Sequence, residues 1–133
     1  MTDEAEAAWH SLERQSTRIE TAVPGGTVVW HAWGEDANSR PPVVLLHGGS
    51  GSWTHWLRNI APLAAAGHAV WVPDMPGFGD SAAPPDGQDA DVLPGWLEAG
   101  LQQLAGTTPV ALVGFSFGAL VAGLWAQARP ARV

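Results

Sequence analysis

The amino-acid sequence predicts an α/β fold: a mostly parallel, doubly wound sheet in one domain spanning residues 1–133. Two observations predict it. Three short apolar runs, at residues 43–46, 69–72 and 109–113, show no polar alternation. That is how a strand buried on both faces reads. Between the runs lie segments with apolar residues at helical spacing. Strands joined by helical crossovers form a parallel sheet with helices on both faces. A chain of 133 residues fits one domain, and folding buries about two-thirds of its unfolded surface.

The elements follow in order. Residues 2–15 read as a helix, so that residues 1–16 form a peripheral N-terminal element. Thr2 or Asp3 caps it, acids fill its first turn, and Ala5, Ala8, Trp9 and Leu12 make a weak apolar stripe. Residues 18–23 and 27–33 read as a hairpin around Pro24-Gly25-Gly26. The polar stretch 34–42 reads as a loop. After the strand at 43–46, Trp53, Trp56, Ile60, Leu63 and Ala64 recur at helical spacing, with Pro62 predicting a kink or break and Gly67 a stop. The strand at 69–72 leads into a long Gly- and Pro-rich loop, 74–91. Leu93, Trp96, Leu97, Leu101 and Leu104 share one face of a helix at 92–104, which Gly95 and Gly100 weaken. A strand at 109–113 and an apolar helix at 117–128 complete the order.

Composition removes several function classes. The net charge is −7 and no basic run exists, so a phosphate backbone would be repelled and no nucleic-acid partner is expected. With no cysteine there is no disulfide framework, thiolate metal site or Cys nucleophile. No apolar run is long enough to span a bilayer, and the N-terminus lacks a signal-peptide pattern. No membrane partner is expected, and the default location is cytoplasmic.

Three stretches carry chemistry. Gly114-Phe115-Ser116-Phe117-Gly118 is a G-x-S-x-G between a buried strand and an apolar helix. A serine there is either a nucleophile on a tight turn or a helix N-cap. His47-Gly48-Gly49-Ser50-Gly51-Ser52 follows another buried strand. It lacks the Lys-Ser/Thr of a P-loop, and its backbone N–H groups suit either an oxyanion or a plain turn. Asp74 to Ser81 carries Asp74 and Asp80, but it has no histidine and no metal-ligand spacing. It reads as a turn, with no metal expected.

In this order, LLHGGSGSW (45–53), VPDMPGFGDS (72–81) and VGFSFGA (113–119) resemble the α/β-hydrolase superfamily over residues 27–128. The resemblance implies a sheet of the α/β-hydrolase type and a serine nucleophile at Ser116. It implies backbone oxyanion donors at Phe117 and Gly49, with Ser50 as the fallback. The 74–81 loop then supports the carboxyl edge of the sheet without direct chemistry. A serine sets aside the branches with an aspartate nucleophile, such as epoxide hydrolases and haloalkane dehalogenases, and those with a cysteine. It leaves acyl transfer: esters, thioesters, lactones and C–C bonds next to a carbonyl. No cofactor is implied. Ser50, Trp53 and Phe115 are the candidate substrate contacts, for a small molecule with an apolar acyl or aromatic part. Core packing is the competing role for Trp53, Trp56 and Phe115.

The family's triad places an acid and then a histidine after the serine. Here all five histidines, His10, His31, His47, His55 and His68, precede Ser116, and residues 117–133 hold no His, Asp or Glu. His47 reads as structural, and His55 as the one candidate for a substitute base. The chain therefore resembles the N-terminal half of such a hydrolase, truncated after the nucleophile helix. Two functions are expected: a hydrolase completed by residues not present, or a non-catalytic binding remnant. The strand at 109–113 would then have an unpaired edge, and the isolated chain is expected to dimerise through it, to aggregate, or to need its missing half for stability.

Overall fold

A computed structural model describes residues 3–34, 40–49, 51–78, 81–83 and 91–133. The elements are α1 (Asp3–Gln15), β1 (Thr17–Val23), β2 (Gly26–Trp33), β3 (Val43–Leu46), α2 (Ile60–Ala65), β4 (Val70–Pro73), α3 (Leu93–Ala105), β5 (Ala111–Gly114) and α4 (Phe117–Ala128). Single 3₁₀ turns stand at Trp53–Trp56 and Pro130–Arg132. The strands form one mixed sheet in the order β1-β2-β4-β3-β5. β3, β4 and β5 are parallel. The β1–β2 hairpin adds antiparallel strands on one side.

Strand alternation divides the core into two layers. Val44, Leu46 and Trp71 point to one face with Val28 and Trp30, where α3 and α4 bring Leu93, Leu97, Leu101, Val121 and Trp125. Val43, Leu45, Val70 and Val72 point to the other face, with Leu12 of α1, Trp53 and Ile60 of α2. Helices therefore cover both faces of the sheet. Thr2 lies outside the described residues, but acids do fill the first turn of α1.

Two local features differ from the sequence expectation. The helix expected at 53–66 is a 3₁₀ turn at Trp53–Trp56, three turn residues, and then a short α2. The break falls a turn before Pro62 because the proline ring clashes with the carbonyl four residues back, at Arg58. Gly100 does not act as a flaw in α3. A Cβ there would come within 2.7 Å of the Thr21 hydroxyl and 3.0 Å of Trp30 Nε1. It lets α3 lie directly on the β1–β2 hairpin.

Candidate active site

The turns after β3 and β5 meet at the carboxyl edge of the sheet because β3 and β5 are hydrogen-bonded neighbours, with Leu46 opposite Gly114. β5 runs straight into α4 through Phe115 and Ser116. Ser116 has φ 55° and ψ −116° and is the one non-glycine residue with positive φ among the described residues. An L-residue holds that conformation only when its surroundings enforce it. They do so here. A Cβ at Gly114 would meet the Gly118 carbonyl and the Ala119 nitrogen. A Cβ at Gly118 would meet the carbonyls of Leu46 and His47. The two glycines thus allow the turn to close on itself and α4 to sit against the end of β3.

The position of Ser116 bears on both of its sequence roles. It stands at the N-cap of α4, yet its side chain makes no capping hydrogen bond. The residue is exposed. Ser116 stands beside the N-terminus of a twelve-residue helix, whose positive dipole end favours negative charge.

Gly48 and Gly49 lie against this elbow. A Cβ built on Gly49 would stand 3.6 Å from Phe117 Cβ, so the two expected backbone donors belong to adjoining segments. Ser50 lies outside the described residues. Phe115 is 57% exposed on the elbow, with its ring edge-on to His55 at 5.5 Å. Trp53, an expected substrate contact, packs into the core. Its indole is buried in the α1 side of the core, 5.4 Å from the Trp33 ring and 5.8 Å from His31. The bulk of an indole at the first turn after the loop is taken up by that layer.

Two histidines hold the site together. His47 is fully buried. Its Nε2 accepts the backbone N–H of Met75 at 2.9 Å, so Nδ1 carries the proton and donates to the Gly48 carbonyl at 2.6 Å. Burial lowers its pKa. The Gly48 carbonyl and Asp74 oppose that effect, and His55 adds to it. His47 is neutral and structural. His55 Nδ1 accepts the backbone N–H of Gly48 at 3.1 Å. Its ring fills the space that a Cβ on Gly51 would need. To act as a base through Nδ1, it would have to release Gly48.

The 74–82 loop is fastened from below. Ser81 Oγ donates to the Asp74 carbonyl at 2.6 Å and accepts the Val29 N–H at 2.9 Å. Asp80 lies outside the described residues. Sequence reasoning missed one pair here: His31 Nε2 is 3.2 Å from Asp74 Oδ1. Its only signal is register, since His31 faces Val72 across β2–β4 and Asp74 is two residues on. Among the described residues no group of three or more His, Cys, Asp or Glu could hold a metal ion. No helix among them is long and apolar enough to cross a membrane.

A strained, uncapped serine between a parallel strand and a helix, facing a glycine-rich turn, is the arrangement of one large enzyme family. The family model for the alpha/beta hydrolase fold matches residues 41–133, and the chain belongs to that family. It is 35% identical over 100 residues to 2-hydroxy-6-oxo-6-phenylhexa-2,4-dienoate hydrolase of Burkholderia cepacia, covering 73% of this chain and 35% of that protein. It is 38% identical over 97 residues to epoxide hydrolase 2 of Siraitia grosvenorii, covering 71% and 30%. Among solved structures, it superposes on the thioesterase domain from the curacin biosynthetic pathway with TM-score 0.78 and 27% identity, covering 89% of this chain and 43% of that one. Epoxide hydrolase A of Mycobacterium thermoresistibile gives TM-score 0.79 and 32% identity, covering 89% and 37%. The chain spans about a third of the length of the curated relatives it matches.

Proposed function

We propose that the chain carries the nucleophile and oxyanion half of a serine hydrolase acting on a carbonyl substrate. The observation that supports this most directly is Ser116, held at φ 55° with no capping bond. In this reading Ser116 Oγ attacks the carbonyl carbon, and the N–H groups of Phe117 and Gly49 receive the oxyanion. The serine's proton passes to the leaving group, which departs as an alcohol, a thiol or a C–H fragment and leaves an acyl-serine, which water then hydrolyses to the acid and the free serine. Esters, thioesters, lactones and C–C bonds next to a carbonyl all suit this sequence. A serine favours the C–C-bond and thioesterase relatives over the epoxide hydrolases as guides to chemistry. The exposed Phe115 ring beside Ser116 favours an apolar acyl or aromatic group.

The base is the missing part. No His, Asp or Glu stands among residues 117–133, and His55 Nδ1 is engaged with Gly48. The 133 residues alone are therefore expected to acylate slowly and to hold the acyl group. Incubation with p-nitrophenyl acetate, followed by intact-mass measurement, tests this. One acetyl group on Ser116, absent in Ser116→Ala, is the expected result. Turnover should run orders of magnitude below an intact triad enzyme. Acetylation that Ser116→Ala leaves unchanged would remove the nucleophile assignment. Fast turnover abolished by His55→Ala would make His55 the base.

A further inference from the structure

We infer that His55 is a positioning residue of the turn after β3: its Nδ1 holds the Gly48 N–H and thereby fixes the direction in which the Gly49 N–H is presented to Ser116. The inference rests on the proposed role of Gly49 as an oxyanion donor.

No side chain aims the Gly49 N–H, so its direction comes from the peptide planes around Gly48. The Gly49 N–H shares one plane with the Gly48 carbonyl and points opposite to it. His47 Nδ1 at 2.6 Å and the Gly51 N–H at 3.1 Å both donate to that carbonyl. The preceding plane, between His47 and Gly48, carries the Gly48 N–H, and His55 Nδ1 accepts it at 3.1 Å. Gly48 is the hinge between the two planes. It has no Cβ to limit its rotation. The Gly49 N–H keeps one direction only while both planes are held. His47 holds one of them and His55 the other.

The chain delivers His55 to this place by a 3₁₀ turn. In such a turn residues i and i+3 share a face. Trp53 and Trp56 accordingly pack into the same core layer, Trp53 buried and Trp56 partly so. His55 leaves on another face and lies over Gly48 and Gly51. Ser52 starts the turn, its Oγ accepting the Thr54 N–H at 3.4 Å and its carbonyl the His55 N–H at 3.1 Å. The imidazole is then held on two sides. It occupies the place of a Cβ on Gly51, and it stands edge-on to the Phe115 ring at 5.5 Å. A Cβ on Gly48 would come within 3.3 Å of His55 Cε1 and 3.2 Å of Phe115 Cδ1. His55 therefore links the glycine hinge to the residue that precedes Ser116.

The same bond sets the tautomer. With Nδ1 accepting, the neutral imidazole carries its proton on Nε2. His55 then serves the backbone as an acceptor, and Nδ1 takes no proton from Ser116. A donor already aligned when the oxyanion forms needs no reorganisation, which is where its effect on rate comes from.

Two variants separate the acceptor from the ring that carries it. In His55→Asn the side-chain oxygen stands on Cγ, as Nδ1 does, and can still accept the Gly48 N–H. His55→Leu has no acceptor. In His55→Leu the Gly48 amide should exchange with solvent about tenfold faster than in the native chain. Acetylation of Ser116 by p-nitrophenyl acetate should fall about tenfold, part of the roughly hundredfold loss that follows removal of an oxyanion donor. His55→Asn should stay within about threefold of native in both measurements. Ring-nitrogen chemical shifts of the native chain should place the proton on Nε2. A urea curve for each variant ensures that folded chains are compared. A proton on Nδ1, or native exchange and acetylation in His55→Leu, would overturn the inference. Equal losses in the two variants would overturn it as well, by assigning the effect to the bulk of the ring. So would faster Gly48 exchange with unchanged acetylation, which would leave His55 a structural residue. If Ser116 resists acetylation even in the native chain, the nucleophile reading fails, and amide exchange and the ring tautomer still decide whether His55 holds Gly48.

Discussion

His47 Nε2 accepts the backbone N–H of Met75 at 2.9 Å. One side chain thereby joins the turn after β3 to the loop after β4. The same ring fixes Gly48 through Nδ1, and Phe78 packs edge-on against it at 5.6 Å. His47→Ala leaves the Met75 N–H and the Gly48 carbonyl without this partner in a buried setting. The Gly48 carbonyl keeps the Gly51 N–H at 3.1 Å, so the Met75 N–H is the orphaned group, and the expected cost is about 1–3 kcal/mol of stability. A urea unfolding curve measures it, and a change within about 0.5 kcal/mol would mark His47 as dispensable.

Because burial keeps His47 neutral in the folded chain, the unfolded chain binds its proton more readily. Stability from this group is fully present above the usual imidazole range and is lost as pH falls below it. The thermal midpoint of the native chain should drop between ~pH 7.5 and ~pH 5 by more than that of His47→Ala. Equal drops in the two proteins would show that another group drives the acid response.

Gly118→Ala tests the contact between the two turns. Its Cβ would press on the carbonyls of Leu46 and His47, both backbone atoms that cannot rotate aside. Overpacking of this kind costs about 1–3 kcal/mol. Relief by moving α4 would draw Phe117 away from Gly49 and tilt Ser116. Acetylation of Ser116 should therefore fall further than stability does. Mass spectrometry and urea unfolding of the same sample separate the two effects.

The legible part of this fold is the part written in uninterrupted apolar runs. Val43–Leu46 and the helix Phe117–Ala128 stand where the residues put them. β4 and β5 lie one or two residues later than their apolar runs. The tight turn was legible because Gly114 and Gly118 flank a serine where a buried strand meets an apolar helix. Partnerships made by distant polar residues were not legible. Glu98 sits next to Leu97 in α3, and Arg132 stands in the turn after α4. Nothing in their spacing, 34 residues apart, announces that they meet. Trp53 shows the same limit from the other side, since periodicity says that an indole is buried and not which layer receives it.

Arg132 is the second polar anchor of the chain. It donates to both carboxylate oxygens of Glu98, at 3.1 and 2.7 Å, and to the carbonyls of Thr108 and Gly106. Trp125 Nε1 donates to the same carboxylate at 3.0 Å. Burial opposes ionisation of Glu98, but the Arg132 and Trp125 bonds together outweigh it and hold the carboxyl below its usual range. Arg132→Met leaves a buried carboxylate without its cation, at an expected cost of about 3–5 kcal/mol. Adding Glu98→Gln should recover part of that loss, because the uncompensated charge is gone. A double variant no more stable than Arg132→Met would mean that the carbonyl bonds, not the ion pair, hold the segment. The native pair should also fail in acid, as pH falls through the depressed Glu98 value.

Ser116 itself should trade stability for chemistry. Its φ of 55° with ψ of −116° is strained for any residue with a Cβ. Conformations of this kind cost about 1–3 kcal/mol. Glycine adopts it freely, but it also loosens the unfolded chain by about 0.5–1 kcal/mol. Ser116→Gly should therefore be more stable than the native chain by about 1 kcal/mol, the difference of those two effects. Ser116→Ala keeps the Cβ and the strain, and it loses only a hydroxyl that makes no capping bond. It should match the native chain to within about 0.5 kcal/mol. Both variants lose acetylation, so function alone cannot tell them apart. The ranking in urea can: glycine above, serine and alanine together. If alanine instead fell well below serine, the hydroxyl would be a structural anchor, and the strain at Ser116 would not be stored for its chemistry.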